Sequence, residues 1–413
     1  MHKIILLLIS ALFYVQIIAQ EDSLFNVHSI PLDLKVKANA VVRFDQIQID
    51  VIDYNKIVYT NKRVVTILNK EGDYKIGAFH HYDENINIQN LEARVFNANG
   101  NEIKKFRKND FKDVSAVPGG TLYSDSRVKY LDYTPINYPY TILFEAKVIY
   151  NSTAFIPSWL PIEGFYISSE NSEYKITNTS EIPIKIKTSN FETYSIEKLN
   201  DFHFKSKNLK SIEPESFSPD FKTYAPVLKA ALTQFDMEGV KGVNNNWEDF
   251  GLWMNNSLLV GTQELPQTVK NKIKELTENA NSNVEKAKIV YQYMQNKTRY
   301  ISVQVGIGGW KPMLAEDVER LSYGDCKALT NYTQALLKEV GVASYYTIIY
   351  GDDKLVNIDK DFSATQGNHA ILCLPNNDDY IWLECTSQTN PFGYTANFTD
   401  DREGCLNNYT RRW

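Results

Sequence analysis

The chain has 413 residues, 43% hydrophobic and 13% aromatic, with a formal net charge of -6. That is enough apolar mass for two or three domains with cores of their own, which excludes a disordered chain. The acidic balance excludes a broad electrostatic footprint for nucleic acid or for an anionic membrane surface.

The first element reads as an export signal, residues 1–19. Lys3 precedes an almost wholly apolar run from Ile4 to Ala19, and Ile17-Ile18-Ala19 offers a small residue at a cut before Gln20. The alternative is an uncleaved anchor helix, but the run is short against the roughly 20 residues of a bilayer span. No Cys near the cut suggests a lipoprotein anchor, and no later stretch is apolar enough to span a membrane. The expectation is an exported protein of the periplasm, cell envelope or medium, with no stable membrane insertion after cleavage.

Residues 20–193 are strand-like. Ile47, Ile49 and Val51 alternate, as do Leu91, Ala93 and Val95, and Ile142, Phe144, Ala146, Val148 and Tyr150 do so over a longer run. Asn99-Gly100 marks a hairpin with a type I′ turn. Short strands and polar turns predict an antiparallel β-sandwich. His80-His81, in a polar context, reads as a solvated loop.

Residues 194–264 change texture and read as a connector of short helices and loop, with Trp247 and Trp253 anchoring one domain on the other. Helices are then predicted from Pro266 and from the capping box Ser282-x-x-Glu285. Arg299–Val303 is a short extended run. Gly306, Gly308 and Gly309 form a glycine-rich loop; no Gly-Lys-Ser/Thr follows to make it a phosphate cradle, so a close backbone approach is the expected role.

Gly324 and Asp325 break the structure before Leu329, Tyr332, Leu336 and Val340, which recur at helical spacing up to Gly341. Cys326 therefore falls on a helix's first turn, where unpaired N–H groups and the macrodipole favour a thiolate. Tyr345–Tyr350 reads as a strand, followed by a polar loop, Gly351–Gly367. His369–Leu374 and Tyr380–Glu384 form a hairpin around Asn376-Asn377, and that register sets His369 directly opposite Glu384. Nucleophile, base and orienting acid then follow in chain order: Cys326, His369 and Glu384. The backbone N–H of Cys326 is a natural oxyanion donor, and Gln304 or Trp310 is a tentative second.

All four cysteines, Cys326, Cys373, Cys385 and Cys405, lie in the last quarter of the chain. In an exported protein, one or two disulfides are the plain expectation, with Cys373 or Cys385 bonded to Cys405 and Cys326 itself open to such a role. No Cys-x-x-Cys, His-Glu-x-x-His or His/Cys cluster supports a zinc site, and no cofactor is implied.

Arg299-Tyr300, Gly306 to Pro312, Tyr323-Gly324-Asp325-Cys326-Lys327, Asn368-His369-Ala370 and Trp382 to Thr386 resemble the bacterial transglutaminase-like core, a relative of papain-type thiol enzymes. Ala38 to Val42 and Asn97 to Gly100 are similar to the β-rich domain of unknown function (DUF3857) that precedes this core in many exported Bacteroidota proteins. The resemblance implies an α+β fold in which the Cys326 helix packs on an antiparallel sheet carrying His369 and the acid, within residues 265–413. It departs from the family at the acid, commonly Asp, so Asp378 and Asp379 are alternatives to Glu384. Relatives usually continue into a further β-rich domain, so the chain reads as a shortened form with a poorly ordered end.

The activity implied is acyl transfer through a thioester on peptide or amide bonds, with hydrolysis favoured over transamidation and a peptide or protein as substrate. The alternatives are a catalytically inactive scaffold of the cell envelope with the same fold, and a structural protein in which Cys326 is locked in a disulfide.

Overall fold

In the first half, alternating apolar residues pair into one eight-stranded sheet. Its order is Ile196–Asn200, His203–Leu209, Ile167–Asn178, Ala40–Asp53, Lys56–Ile67, Tyr140–Tyr150, Ile86–Phe96 and Glu102–Arg107. The computed structural model describes residues 23–117, 121–395 and 397–406, so the expected export signal at 1–19 and the chain end at 407–413 lie outside the described residues. The sheet is antiparallel except between Ala40–Asp53 and Ile167–Asn178, which run parallel. Ile142, Phe144, Ala146 and Val148 point to one face and join Val65, Leu91, Ala93 and Val95 in a buried cluster. Period-two patterning puts alternate residues on one face, so a single strand can carry that whole row. Ala78, Phe111 and Leu131 cover the same face. They flank three short paired strands, Phe79–Tyr82, Arg127–Tyr130 and Lys112–Ser115.

Local details depart from the sequence reading. The Asn99-Gly100 hairpin closes through a longer link, since Phe96 pairs with Glu102, and Gly100 but not Asn99 takes positive φ. His80 is in a strand rather than a solvated loop; its Nε2 meets the Tyr150 hydroxyl at 2.9 Å, and burial, then His81, pushes its pKa down to about 4. Much of the expected connector is strand: Ile196–Asn200 and His203–Leu209 extend the large sheet, and Val227–Leu232 pairs with Ile184–Ser189. Trp253 is buried against Phe235 and Phe250 as an anchor.

The second half is helical before it is extended. Ser282 caps Asn283–Lys297 by accepting from Glu285 N at 3.1 Å, while Glu285 reaches back to Asn281 N at 2.6 Å. Helix Cys326–Glu339 is buried along most of its length and packs on a sheet ordered Asp379–Leu383, His369–Asn376, Tyr345–Ile349, Cys405–Leu406. Thr330 Oγ1 donates to the Ala370 carbonyl at 3.1 Å, fixing the helix to the His369 strand. No helix among the described residues is long and apolar enough to cross a membrane.

The two halves share a core. Ile49, Tyr174, Leu228 and Phe235 belong to the same buried cluster as Cys326, Tyr346, Ile348 and Ala370. The polar loop before His369 is tied to the first half by Lys187 and Lys229, whose ammonium groups reach Asp359 at 2.6 and 3.0 Å. Beside the glycine loop, Asp125 Oδ2 accepts from Gly306 N at 3.1 Å. Burial, followed by Asp83, Asp125, Glu84 and Asp236, pushes the Glu238 carboxyl up to about 7.

A carboxyl raised in the folded state binds more protons than in the unfolded chain between about pH 4.3 and 7, so stability falls as pH rises through that window. Glu238→Gln keeps an acceptor for Asn85, which donates to Glu238, and removes the charge. The variant is expected to melt above the wild type at pH 8, with the difference vanishing towards pH 4.5, as read by thermal unfolding across that range.

Candidate active site

The place of Cys326 is fixed by what stops the chain before it. A Cβ on Gly324 would lie 2.8 Å from the Ala328 side chain, so only glycine fits as the backbone turns into the helix. Asp325 then caps the helix, its Oδ1 accepting from Ala328 N at 2.9 Å. The second Asp325 oxygen pairs with Lys327 Nζ, and both side chains are buried. Cys326, the first helical residue, is itself buried.

His369 opens its strand, and its Nε2 lies 2.8 Å from Glu384 Oε2. Glu384 follows the last residue of strand Asp379–Leu383 and is fully buried. Its other oxygen, Oε1, accepts from Thr386 N at 2.9 Å and Thr386 Oγ1 at 2.5 Å, while Tyr291 donates to its backbone carbonyl at 2.7 Å. With Nε2 held by Glu384, Nδ1 is the ring nitrogen left over, and Cys326 is near enough to act on the ring's titration. Burial lowers the imidazole's pKa, but the hydrogen bonds and charges of Cys326 and Glu384 outweigh it and raise it to about 10. The Phe398 ring stands edge-on to His369 at 5.3 Å.

The hairpin register differs from the sequence reading by two residues. Asn376 pairs with Asp379 and Leu372 with Leu383, so the turn is Asn377-Asp378, with Asn377 at positive φ. Continued outward, that register sets His369 opposite Thr386 rather than Glu384. A shift of two preserves the face on which every side chain stands. Glu384 therefore still reaches His369 diagonally. Asp378 and Asp379 lie at the turn, the far end of the hairpin from His369, so neither replaces Glu384.

The expected disulfides do not form at Cys326, Cys373 or Cys385, which are free and buried; the Cys405 side chain lies outside what the structure describes. Burial pushes Cys373 and Cys385 each up to about 12, which suppresses their thiolates.

Gln304 lies on strand Ser302–Gln304, paired with Ser124 of the first half, and Trp310 packs on the cluster that contains Cys326 and against Phe155 at 5.9 Å. The glycine loop makes no close backbone approach at Gly308, where an added Cβ would meet open space. Two tyrosines at the site went unpredicted. Tyr300 pairs with Gly324, and burial, then the Cys326 charge, pushes its phenol up to about 12. Burial, then Cys326, also raises Tyr346, whose buried hydroxyl has no hydrogen-bond partner among the described residues. The Arg299-Tyr300 run pointed to the first; nothing in the pattern of Tyr345–Ile349 marked the second. Among the described residues, no group of three or more His, Cys, Asp or Glu could hold a metal ion.

Residues 54–213 match a family described as a domain of unknown function with a solved structure, DUF3857. No curated protein matches the sequence. Among solved structures, a candidate protease from Parabacteroides distasonis is similar at 14% identity and a TM-score of 0.60, over 85% of this chain and 68% of that one. The two share a fold. A candidate cysteine protease from Cytophaga hutchinsonii, 9% identical over 75% of each chain, has a TM-score of 0.23. Aminopeptidase A from Legionella pneumophila, 15% identical over 48% of this chain and 22% of that one, has a TM-score of 0.20. Scores that low carry no argument about this fold.

The Asp325–Lys327 pair gives a direct test of how the helix start is held. Lys327→Ala strands a buried carboxylate, and removing one partner of a buried pair costs about 3–5 kcal/mol. Urea unfolding of the variant is expected to show a loss of that order. A loss under about 1 kcal/mol would mean that Asp325 is solvated in solution.

Proposed function

We propose that the protein is an exported thiol acyl-transfer enzyme with a transglutaminase-like core in residues 265–413, acting on peptide or amide bonds through Cys326, His369 and Glu384. The observation that carries this reading is one imidazole held by a fully buried carboxylate, Nε2 to Oε2 at 2.8 Å, with its pKa raised by the helix-start Cys326 beside it. Glu384 sets the ring's tautomer and stabilises its cation.

In the reaction, His369 Nδ1 takes the thiol proton as Cys326 sulfur bonds to the acyl carbon. The tetrahedral oxyanion is received by the Cys326 backbone N–H, with Gln304 or Trp310 as candidate second donors. Collapse breaks the carbon–nitrogen bond, the imidazolium gives its proton to the departing amine, and a thioester remains. Water, deprotonated by His369, then releases the acid and restores the thiol. An amine acceptor in place of water would give transamidation; the reaction proposed is hydrolysis.

The burial of Cys326 favours one other reading, a scaffold that keeps the fold without the chemistry. Iodoacetamide labelling separates the two. At pH 7, Cys326 is expected to be alkylated faster than Cys373 and Cys385, and His369→Ala to slow it about tenfold or more by removing the base. Peptide mass spectrometry of the labelled chain reads both results. Labelling indifferent to His369, together with unchanged peptide hydrolysis in Cys326→Ala, would remove the triad.

A further inference from the structure

A pocket of about 240 Å3 opens beside the start of the Cys326 helix. Asp325 and Ala328, which flank Cys326, form one wall, and the segment from Val303 to Met313 forms the other. Resting on the thiol-enzyme reading above, we propose that this pocket is the subsite for one apolar side chain of a peptide acyl donor, of leucine, methionine or phenylalanine size.

Size sets the class of ligand first. Sites for whole small molecules run to roughly 300–1,000 Å3, so this pocket suits a single side chain of a larger substrate. Its chemistry then narrows the choice. Val303, Ile307, Pro312, Met313 and Ala328 present apolar walls. Asp325 adds no open charge, because one of its oxygens caps the helix and the other pairs with Lys327. Lys311 also lines the pocket and has no ion-pair partner among the described residues, so its charge disfavours a lysine or arginine side chain. Gly308 borders the space, and an added Cβ there would touch nothing within 4 Å. A side chain can therefore be introduced at this lining position without displacing protein.

The test uses peptidyl chloromethyl ketones, in which each of the two residues before the electrophilic carbon is varied in turn among Phe, Leu, Ala and Lys. Alkylation of Cys326 in the full chain is followed by mass spectrometry. At one position, Phe or Leu is expected to react roughly 10- to 100-fold faster than Ala, the factor that burial of such a side chain gives, and Lys no faster than Ala. Gly308→Leu should reduce that preference to about twofold by filling the space, and Lys311→Met should raise the Lys probe relative to Ala. Thermal unfolding confirms that each variant is folded.

The proposal falls if iodoacetamide labelling depends on His369 while no position discriminates by more than about threefold, or if folded Gly308→Leu keeps the full preference. If labelling by iodoacetamide is itself indifferent to His369, the thiol-enzyme reading fails first and the subsite fails with it.

Discussion

The buried carboxylate of Glu384 is the constraint on which the site depends. An ionised carboxylate removed from water is costly unless its oxygens are paired and hydrogen-bonded. Here one oxygen takes the His369 ring and the other takes both donors of Thr386. The imidazole is thus held because Glu384 needs it, and Glu384 is held because the chain turns at Thr386 to supply the remaining donors. Tyr291, from helix Asn283–Lys297, secures the same residue through its carbonyl. A ring fixed this way presents its other nitrogen to the Cys326 helix without depending on that helix for its orientation.

The helix is positioned by a separate arrangement. Gly324 allows the turn, Asp325 caps it, and Lys327 neutralises the capping carboxylate. Thr330 then ties the helix to the strand that His369 opens. The first half of the chain adds to this frame rather than standing apart from it. Its large sheet shares a core with Cys326 and Tyr346, its lysines hold the loop before His369, and its residue Asp125 caps the backbone of the glycine loop.

What was legible in the sequence is what local patterning can carry. The Cys326 helix, its glycine-aspartate start and the strands on either side of the hairpin followed from periodicity and punctuation, because each depends on neighbours within a few residues. The strands at 196–209 did not show themselves, since Ile196–Asn200 is an edge strand with little burial and no apolar alternation to read. The hairpin register was missed because Asn376-Asn377 and Asn377-Asp378 are equally good turns, and only the packed sheet selects between them. The contact of His369 with Glu384 survived that error through parity. Tyr346 and the Lys327 pair were invisible for a different reason: their meaning lies in burial, and burial is a property of the assembled fold.

Burial alone also fails to separate Cys326 from the other cysteines. Cys326, Cys373 and Cys385 are all buried thiols, and for the latter two burial raises the pKa to about 12, so that they behave as small apolar side chains. Cys385 even neighbours Glu384 in sequence, where a nearby negative charge opposes a thiolate still further. Cys326 differs in having an imidazole within hydrogen-bonding reach, itself backed by a carboxylate. The distinction between Cys326 and the two core cysteines is therefore made by His369 and the buried carboxylate that holds it.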